Sequence, residues 1–322
     1  MPELSIIMPL FNTGRYAGDA VQSLLSQSFS DFELIVVDDA STDGSAEVIR
    51  SFRDPRINML TNEKNQGIAI SRNIGLRAAT GKYIAPFDSD DMAMPQKFEK
   101  QVDFLKRNPD FGMVGSWAKL IDGDGNTLPK KWKPDAPAER IPAILLFRNY
   151  FIQSAVVLRR EIIPEGGYRP GFNIAEDYFM WTEIAQKSRV WNFPEYLVYH
   201  RIHDRSAIGS DAARVALFDA RVFEYAFERL GITLDEHALS LMLKIKNETE
   251  ISRKEELDDI EILLIRILRQ NSILHIFDNR QLKKVVFNRW MKACSKGRKL
   301  HFSVLKKLVA SPLTKLAITS AL

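Results

Sequence analysis

Short apolar runs alternate with amphipathic segments along the first 110 residues of the chain. Continuous apolar runs at Ser5 to Phe11, Phe32 to Asp39 and Tyr83 to Phe87 are typical of strands that are buried on both faces of a sheet. A shorter run at Ile57 to Leu60 predicts one more strand. The intervening segments place apolar residues at helical spacing and predict helices over residues 17–27, 68–79 and 96–108. Residues 41–52 predict a loop followed by a helix that Asp43 caps. Strands alternating with helices predict an α/β fold with right-handed crossovers and a mostly parallel sheet flanked by helices.

The pattern becomes less regular after residue 110. Gly112 to Ile121 predicts a strand, and the DGDGN turn that follows predicts a hairpin, because it lacks the glutamate of a calcium loop. Ser154 to Arg159 predicts a strand and Asp177 to Gln186 a helix. Trp191 to Ile202 predicts two short strands on either side of Pro194.

The chain becomes helical from Ala212 almost to its end, which predicts a domain over residues 1–210 and a helical region over 211–322. The only cysteine, Cys294, excludes an internal disulfide and a four-thiolate zinc site. We find no signal peptide and no run of 18 apolar residues, so we expect the protein on the cytoplasmic side of the membrane.

Carboxylates cluster where two of the apolar runs end. Asp88, Asp90 and Asp91 follow the run at Tyr83 to Phe87, and Asp39 ends the run that begins at Phe32. Parallel sheets bind ligands at the carboxyl ends of their strands. Neighbouring carboxylates repel one another by about 1–4 kcal/mol per pair at surface-like dielectrics, so we expect a cation at the Asp88 cluster, and a divalent metal fits best.

Several ordered motifs resemble one enzyme family. They are SIIMPLFN from Ser5, VVDDASTDGS from Val36, NQGIAISRNIGL from Asn65, YIAPFDSDD from Tyr83, AEDYFMW from Ala175 and YHRIH from Tyr199. Together they resemble the family 2 inverting glycosyltransferases, and in particular those that extend bacterial lipooligosaccharide or capsule glycans. The resemblance covers about the first 210 residues and implies a GT-A fold, with a Rossmann-like sheet. It also implies a nucleotide-sugar donor, most simply a UDP-sugar.

The resemblance implies a metal site at the acidic cluster. Asp90 would bind Mn²⁺ or Mg²⁺, with Asp88 near the ribose or the metal and His203 as a further ligand. His200 is the competing histidine. Asp91 would cap the next helix or orient its neighbours. The cation would neutralise the diphosphate leaving group as its charge grows.

Other residues of the motifs would bind the nucleotide. Asp39 would accept the imino hydrogen of uracil, and Pro9, Phe11 and Asn12 would line the base and ribose pocket. Arg72 would donate to the diphosphate or the base, although an ordinary surface arginine is the alternative.

Asp177, beside Glu176, matches the general base of the family. The simpler alternative is an acidic residue that the helix dipole favours at an N-terminus.

The predicted function is inverting transfer of a hexose or N-acetylhexosamine to a cell-surface glycan, either an oligosaccharide or a lipid-linked acceptor. A non-catalytic nucleotide-sugar-binding module and a sugar nucleotidyltransferase are the alternatives.

The last 44 residues have an unusual charge. They hold 11 of the 45 lysines and arginines and none of the 41 aspartates and glutamates. Apolar residues such as Val285, Val286 and Trp290 are mixed with these basic ones. The pattern is typical of a basic amphipathic tail on an anionic membrane surface, which would place the enzyme on the inner face of the cytoplasmic membrane. A solvated or packed helical face and a nucleic-acid contact are the alternatives, and no nucleic-acid-binding motif accompanies the charge.

Overall fold

The computed structural model describes residues 1–203, 212–297 and 302–314. The chain divides into two compact units. The sheet unit comprises Met1–Ala138 and Tyr150–Ala212, and the helical unit comprises Glu139–Asn149 and Ala213–Leu322. Compared with the predicted boundary after residue 210, the structure assigns the short segment Glu139–Asn149 to the helical unit as well.

The sheet unit is built on a mixed sheet, in the order β3-β2-β1-β4-β8-β6-β9-β5, with β7 paired to β6. The first four strands in space are mutually parallel, β8 is antiparallel to both neighbours, and β6 and β9 are parallel. The carboxyl ends of β1, β2, β4, β6 and β9 therefore lie along one edge of the sheet. The strands are β1 (Leu4–Leu10), β2 (Phe32–Asp38), β3 (Ile57–Thr61), β4 (Tyr83–Pro86), β5 (Met92–Ala93), β6 (Phe111–Ile121), β7 (Thr127–Trp132), β8 (Val157–Arg159) and β9 (Arg189–Arg201).

Helices cover the sheet as the apolar pattern requires. In the sheet unit they are α1 (Tyr16–Leu25), α2 (Ser45–Ser51), α3 (Ile68–Ala78), α4 (Lys97–Arg107) and α6 (Glu176–Lys187). All seven residues of β1 are buried, which explains its uninterrupted apolar run. On α4, Phe98, Val102 and Leu105 recur on one side and join the core cluster beneath β1. Each such side chain contributes about 1.5–3 kcal/mol by leaving water.

Two predicted strands differ from the observed ones. β8 begins only at Val157, because Gln153–Ala155 forms a 3₁₀ turn. β9 is one strand of 13 residues, where two short strands were predicted around Pro194. Its pairing with β6 jumps from Phe193 to Tyr196 between adjacent β6 residues. The irregularity leaves Pro194, which has no N–H to donate, outside the regular pairing without ending the strand.

The helical unit comprises α5 (Ile141–Leu145), α7 (Ala212–Glu228), α8 (Glu236–Asn247), α9 (Lys254–Leu274), α10 (Asn279–Lys296) and α11 (Phe302–Ala310). The apolar side of α10, including Val285, Val286 and Trp290, is buried within this unit. For α10 the structure therefore shows the packed-face alternative, in which the apolar side is not available to a bilayer. In the residues that the structure describes, no helix is long and apolar enough to span a membrane.

Candidate active site

The acidic cluster forms the loop that follows β4. The N–H of Asp88 donates to Ser154 Oγ (3.0 Å), and the N–H of Asp91 donates to the carbonyl of Asp88 (3.2 Å). These bonds fold the loop into a tight turn at the carboxyl end of β4. Asp91 is fully buried, whereas Asp88 and Asp90 are partly accessible. The three carboxylates therefore occupy different environments despite their adjacency in sequence.

Asp90 and His203 are in direct contact at the end of β9. Asp90 Oδ2 lies 2.9 Å from His203 Nε2, and the side chains are 22% and 11% exposed. The ring of Tyr16 lies 4.9 Å from the imidazole and covers one side of it. The structure thus brings together the two predicted ligands that lie 113 residues apart in the chain.

Asp91 and His200 form a separate pair behind this contact. Asp91 accepts from His200 Nδ1 (3.1 Å) and from the backbone N–H of Arg201 (2.8 Å). Burial lowers the pKa of His200, but the carboxylate of Asp91, with Asp90 and Asp88, outweighs it and raises that pKa to about 9. Asp91 accordingly orients its neighbours and does not cap a helix. His200 pairs with Asp91 and thereby stabilises the aspartate loop.

Arg201 is a site residue that the sequence reasoning missed. Its Nε donates to the carbonyl of Asp90 (2.8 Å), and its Nη1 donates to the carbonyls of Asp122 and Gly123. Its Nη2 lies 3.3 Å from a carboxylate oxygen of Asp19. A buried guanidinium thus ties the aspartate loop to α1 and the β6–β7 turn. In the sequence, its position between His200 and His203 in the YHRIH motif could have indicated that Arg201 belongs to the site.

Arg72 differs most from its prediction. Its side chain is 2% exposed, so it is not a surface arginine. Nη2 donates to Asp88 Oδ1 (2.6 Å), and Nη1 donates to Glu176 Oε1. Burial lowers the pKa of Arg72, but the two carboxylates outweigh that effect and keep the guanidinium charged. Both terminal nitrogens are therefore engaged, and a contact with the diphosphate or base stays a prediction.

Asp177 lies in the first turn of α6, immediately after Glu176. The residue before the helix, Ala175, has φ +59°, a left-handed conformation that is uncommon for alanine. This turn directs the chain so that Glu176 is buried against Arg72 while Asp177 stays half-buried. The predicted base therefore lies beside one end of the ion-pair chain Glu176–Arg72–Asp88, whose other end is the aspartate loop.

Asp39 holds the loop that leads into α3. Its Oδ1 accepts from Asn62 Nδ2 (2.7 Å) and Gln66 N (2.9 Å), and its Oδ2 accepts from Gly67 N (2.9 Å). Gly67 has φ +90°, a backbone conformation that favours glycine. The carboxylate thus already accepts three hydrogen bonds, and its contact with uracil stays a prediction.

The predicted pocket residues at the end of β1 have different exposures. Pro9 is buried within the strand, whereas Phe11 is 46% exposed. Asn12 adopts φ +50°, and its Oδ1 accepts from Thr42 N (2.8 Å). The structure offers an accessible aromatic ring at Phe11 and joins the ends of β1 and β2 through Asn12. A direct ligand contact at Pro9 has no exposed surface to support it.

The carboxylates crowd one another as the sequence suggested. Burial raises the pKa of Asp88 above its ordinary 3.8, Arg72 lowers it, and Asp90 and Glu176 raise it again. No group of three or more His, Cys, Asp or Glu side chains in the described ranges is arranged to hold a metal. Asp90 and His203 nevertheless fit a divalent ion that takes its other ligands from diphosphate and water, because such ions commonly bind through one or two protein groups plus phosphates. Asp88 commits one carboxylate oxygen to Arg72, so any metal or ribose role depends on its other oxygen.

Comparisons with known proteins identify the family to which the chain is similar. The family profile described as "Glycosyl transferase family 2" matches residues 5–167. An uncharacterized glycosyltransferase of Haemophilus influenzae is 26% identical over 313 residues, which cover 88% of this chain and 95% of the relative. The putative glycosyltransferase EpsE of Bacillus subtilis is 30% identical over 243 residues, covering 73% and 86%. An Escherichia coli protein named UDP-Glc:alpha-D-GlcNAc-diphosphoundecaprenol beta-1,3-glucosyltransferase WfgD is 32% identical over 188 residues, covering 58% and 71%.

Solved structures show the same fold. S. aureus TarS 1–349 in complex with UDP-GlcNAc superposes with a TM-score of 0.61 at 16% identity, covering 94% of this chain and 92% of that one. The mannosyltransferase PcManGT from Pyrobaculum calidifontis, in complex with GDP-Man and Mn²⁺, gives 0.57 at 17% identity, covering 99% and 79%. The predicted α/β fold of GT-A type with a C-terminal helical region is thereby confirmed.

Proposed function

Because the chain belongs to glycosyltransferase family 2, we propose that it transfers a hexose or N-acetylhexosamine from a UDP-sugar to a cell-surface glycan, with inversion at the anomeric carbon. The protein is a glycosyltransferase that uses a nucleotide sugar. This sets aside the binding-module and nucleotidyltransferase alternatives. The donor base, the sugar, the acceptor and the stereochemistry are the proposed part. The UDP donors in the names of the E. coli and S. aureus proteins support uridine, whereas the archaeal structure carries GDP-Man.

One observation carries the proposal. Through Arg72, the start of α6, which bears Asp177, is joined to the loop that bears Asp88 and Asp90. A single displacement needs a base for the acceptor hydroxyl and a stabilised leaving group at the same anomeric carbon. Carboxylates from two distant parts of the chain would then act at one site, Asp177 as the base and Asp90 as a ligand of the cation that stabilises the leaving group.

In the proposed reaction, Asp177 accepts the proton of the acceptor hydroxyl as its oxygen bonds to the anomeric carbon and the bond to the diphosphate oxygen breaks. Attack opposite the leaving group inverts the configuration, so an α-linked donor gives a β-linked product. Asp90 and His203 would hold Mn²⁺ or Mg²⁺. When bound, this ion would neutralise the diphosphate charge. Phe11 would lie against the nucleotide base, with Asp39 and Asn12 fixing the loops around it.

A screen of nucleotide sugars tests the proposed donor. UDP-linked and GDP-linked hexoses and N-acetylhexosamines are incubated with the protein, Mn²⁺ and glycan acceptors, and nucleotide release is measured with and without chelator. We expect metal-dependent UDP release. Release of GDP, or UDP release that is unaffected by chelation, would contradict the proposed donor or the proposed cation.

Replacement of the predicted base is the sharper test. Asp177→Asn retains the size of the side chain and removes the proton acceptor, so we expect kcat to fall about 10²–10⁴-fold. UDP affinity should change little, because the base serves the acceptor. Asp103→Asn, in an exposed ion pair on α4, is the matched control and should retain activity. Full glycan transfer by the Asp177 variant would remove Asp177 from this role.

We also propose a lipid-linked acceptor and contact with an anionic membrane through the outer side of α10. Its apolar side is buried, but Arg280, Lys283, Lys292 and Lys296 lie at exposed positions, and the helix contains no acidic residue. Each such cation near an anionic surface contributes about 1 kcal/mol. This form of contact depends on charge and requires no inserted apolar face.

A further inference from the structure

Arg72 is held from several sides before any ligand is considered. Its guanidinium carbon lies 5.3 Å from the centre of the Tyr168 ring. Tyr168 is itself fixed, because its backbone exchanges two hydrogen bonds of 2.7 Å with the Asn73 side chain, and its hydroxyl accepts from Gln153 Nε2 (2.7 Å). The buried side chain thus lies against an ordered aromatic face, which limits its rotation.

The planar fork of Arg72 spans two segments that the sequence separates widely. One terminal nitrogen binds Glu176, the neighbour of Asp177, and the other binds Asp88, two residues before Asp90. A guanidinium presents its donors in a rigid plane, so it fixes both partners at once, whereas a lysine presents a single point of charge. The start of α3, which carries Arg72, is anchored in turn by Asp39 through Gly67.

We propose that Arg72 is a positioning residue that holds the start of α6 at a fixed place relative to the aspartate loop, so that the base and the donor meet in register. The inference rests on the proposed function. Under this inference Arg72 affects the rate of sugar transfer and not the affinity for the donor. It sets the rate of the displacement because it places Asp177 through Glu176, whereas other residues set the donor affinity. A misplacement of about 1 Å between reacting groups can lower a rate about 10²-fold.

The test compares Arg72→Lys with Arg72→Met, and uses Arg77→Lys and Arg77→Met, at an exposed position on the same helix, as matched controls. Calorimetry with UDP and Mn²⁺ gives the UDP Kd and the number of binding-competent sites. The rate of UDP release from the UDP-sugar in the presence of acceptor, divided by the number of binding-competent sites, then gives kcat per site. Misfolded protein therefore does not lower the measured kcat. We expect Arg72→Lys to lower kcat per site about 10²-fold with the UDP Kd within about threefold, and both Arg77 variants to match the wild type.

A double-variant cycle identifies the partner through which Arg72 acts. Glu176→Gln, alone and combined with Arg72→Lys, should give kcat losses that do not add, because both changes break the same link. If Arg72→Met does not fold, Arg72→Lys and the cycle decide the question.

If the wild-type protein releases UDP, each of three results would overturn the inference. These are an unchanged kcat in Arg72→Lys, fully additive losses in the cycle, or a UDP Kd raised tenfold or more in Arg72→Lys. The last result would mean that Arg72 contacts the donor directly, for example through Nε, which is buried and has no hydrogen-bond partner among the described residues. Absence of UDP release by the wild-type protein with every UDP-sugar would instead refute the proposed function, and this inference with it.

Discussion

At the scale of single residues, a buried lysine is the least expected feature of the sheet unit. Lys97, in the first turn of α4, is 0% exposed, and its Nζ donates to Gln101 Oε1 (2.9 Å). Gln101 in turn donates to the carbonyls of Val114 and Ala155. No carboxylate pairs with Lys97 in the described residues, and burial lowers its pKa well below the ordinary 10.5. No sequence pattern indicated this burial, because lysine is among the residues most often exposed.

This burial predicts a pH dependence of folding stability. Lys97 is protonated in the unfolded chain below about pH 10.5, but in the folded protein only below its lowered pKa. Between these two pH values the unfolded chain binds one more proton than the folded protein. Stability therefore falls as the pH falls within that window, by about 1.4 kcal/mol per pH unit from this group. Lys97→Met removes the titration at similar volume.

Guanidinium chloride unfolding of both proteins at pH 7, 8 and 9 checks the slope. The free energy of unfolding of Lys97→Met relative to the wild type should rise as the pH is lowered, by up to about 1.4 kcal/mol per pH unit as long as the pH stays above the lowered pKa of Lys97. Lys106→Met, in an exposed ion pair on the same helix, should show no such trend. Parallel pH profiles for the wild type and Lys97→Met would refute a lowered pKa.

At the scale of elements, adjacent aspartates serve different structural roles. Asp91 accepts from Arg201 N and His200, and the short strand that follows it, β5, pairs with β9 at Tyr199 and Val198. The end of β9 is thus joined to the aspartate loop by a buried carboxylate and by backbone pairing. Asp90 makes its contact with His203 at a partly accessible position.

Two matched substitutions should separate these roles. Asp91→Asn removes the buried charge that faces His200, and we expect a loss of about 2–3 kcal/mol in unfolding free energy, since hydrogen bonds to charged groups contribute about 1.5–3 kcal/mol. Asp90→Asn should cost about 1 kcal/mol or less, because its contact is partly exposed, but should raise the Mn²⁺ concentration needed for UDP release. Thermal unfolding and metal titrations measure both. Equal destabilisation by the two variants, or an unchanged Mn²⁺ requirement in Asp90→Asn, would contradict the assignment of a structural role to Asp91 and a metal-binding role to Asp90.

The elements also show where sequence patterns suffice. The continuous runs of β1, β2 and β4 predicted buried strands because strands covered on both faces have no polar side. Pro194 predicted a break in β9, yet that strand continues, since β6 supplies a long neighbour that tolerates an irregular register. β8 was predicted three residues too long, because the 3₁₀ turn at Gln153–Ala155 that precedes it is as buried as a strand.

At the scale of the whole molecule, net charge hides a local asymmetry. The basic final segment contains α10, whose Lys292 and Arg289 both pair with Glu248 of the helical unit. Lys307 of α11 pairs with Asp258 and Glu261. Part of the basic charge therefore stabilises the unit itself, and the exposed α10 residues outside these pairs, Arg280, Lys283 and Lys296, carry the proposed membrane contact.

Charge reversal on α10 tests that contact. Arg280→Glu with Lys283→Glu should weaken binding to vesicles containing phosphatidylserine by tenfold or more at low salt, since each cation contributes about 1 kcal/mol. Lys130→Glu with Lys131→Glu makes the same change of charge at exposed positions of β7 and is the control. Cosedimentation measures both. Equal loss in the two double variants, or none in either, would mean that α10 is not the docking surface.

Local pattern and ordered motifs determined most of the strand and helix order, the α/β class and the family, and they predicted the acidic residues of the candidate site, because burial on both faces and strand-end carboxylates leave direct marks on a sequence. The tertiary structure decided which charges meet. The partners of Arg72 and Asp91 include residues 104 and 110 positions away, reached only through crossovers of the sheet. Lys97 bonds to Gln101 on its own helix, and it is Gln101 that reaches the distant carbonyl of Ala155. Side-chain pairing and burial at such separations depend on strand order and register. A linear pattern does not contain them.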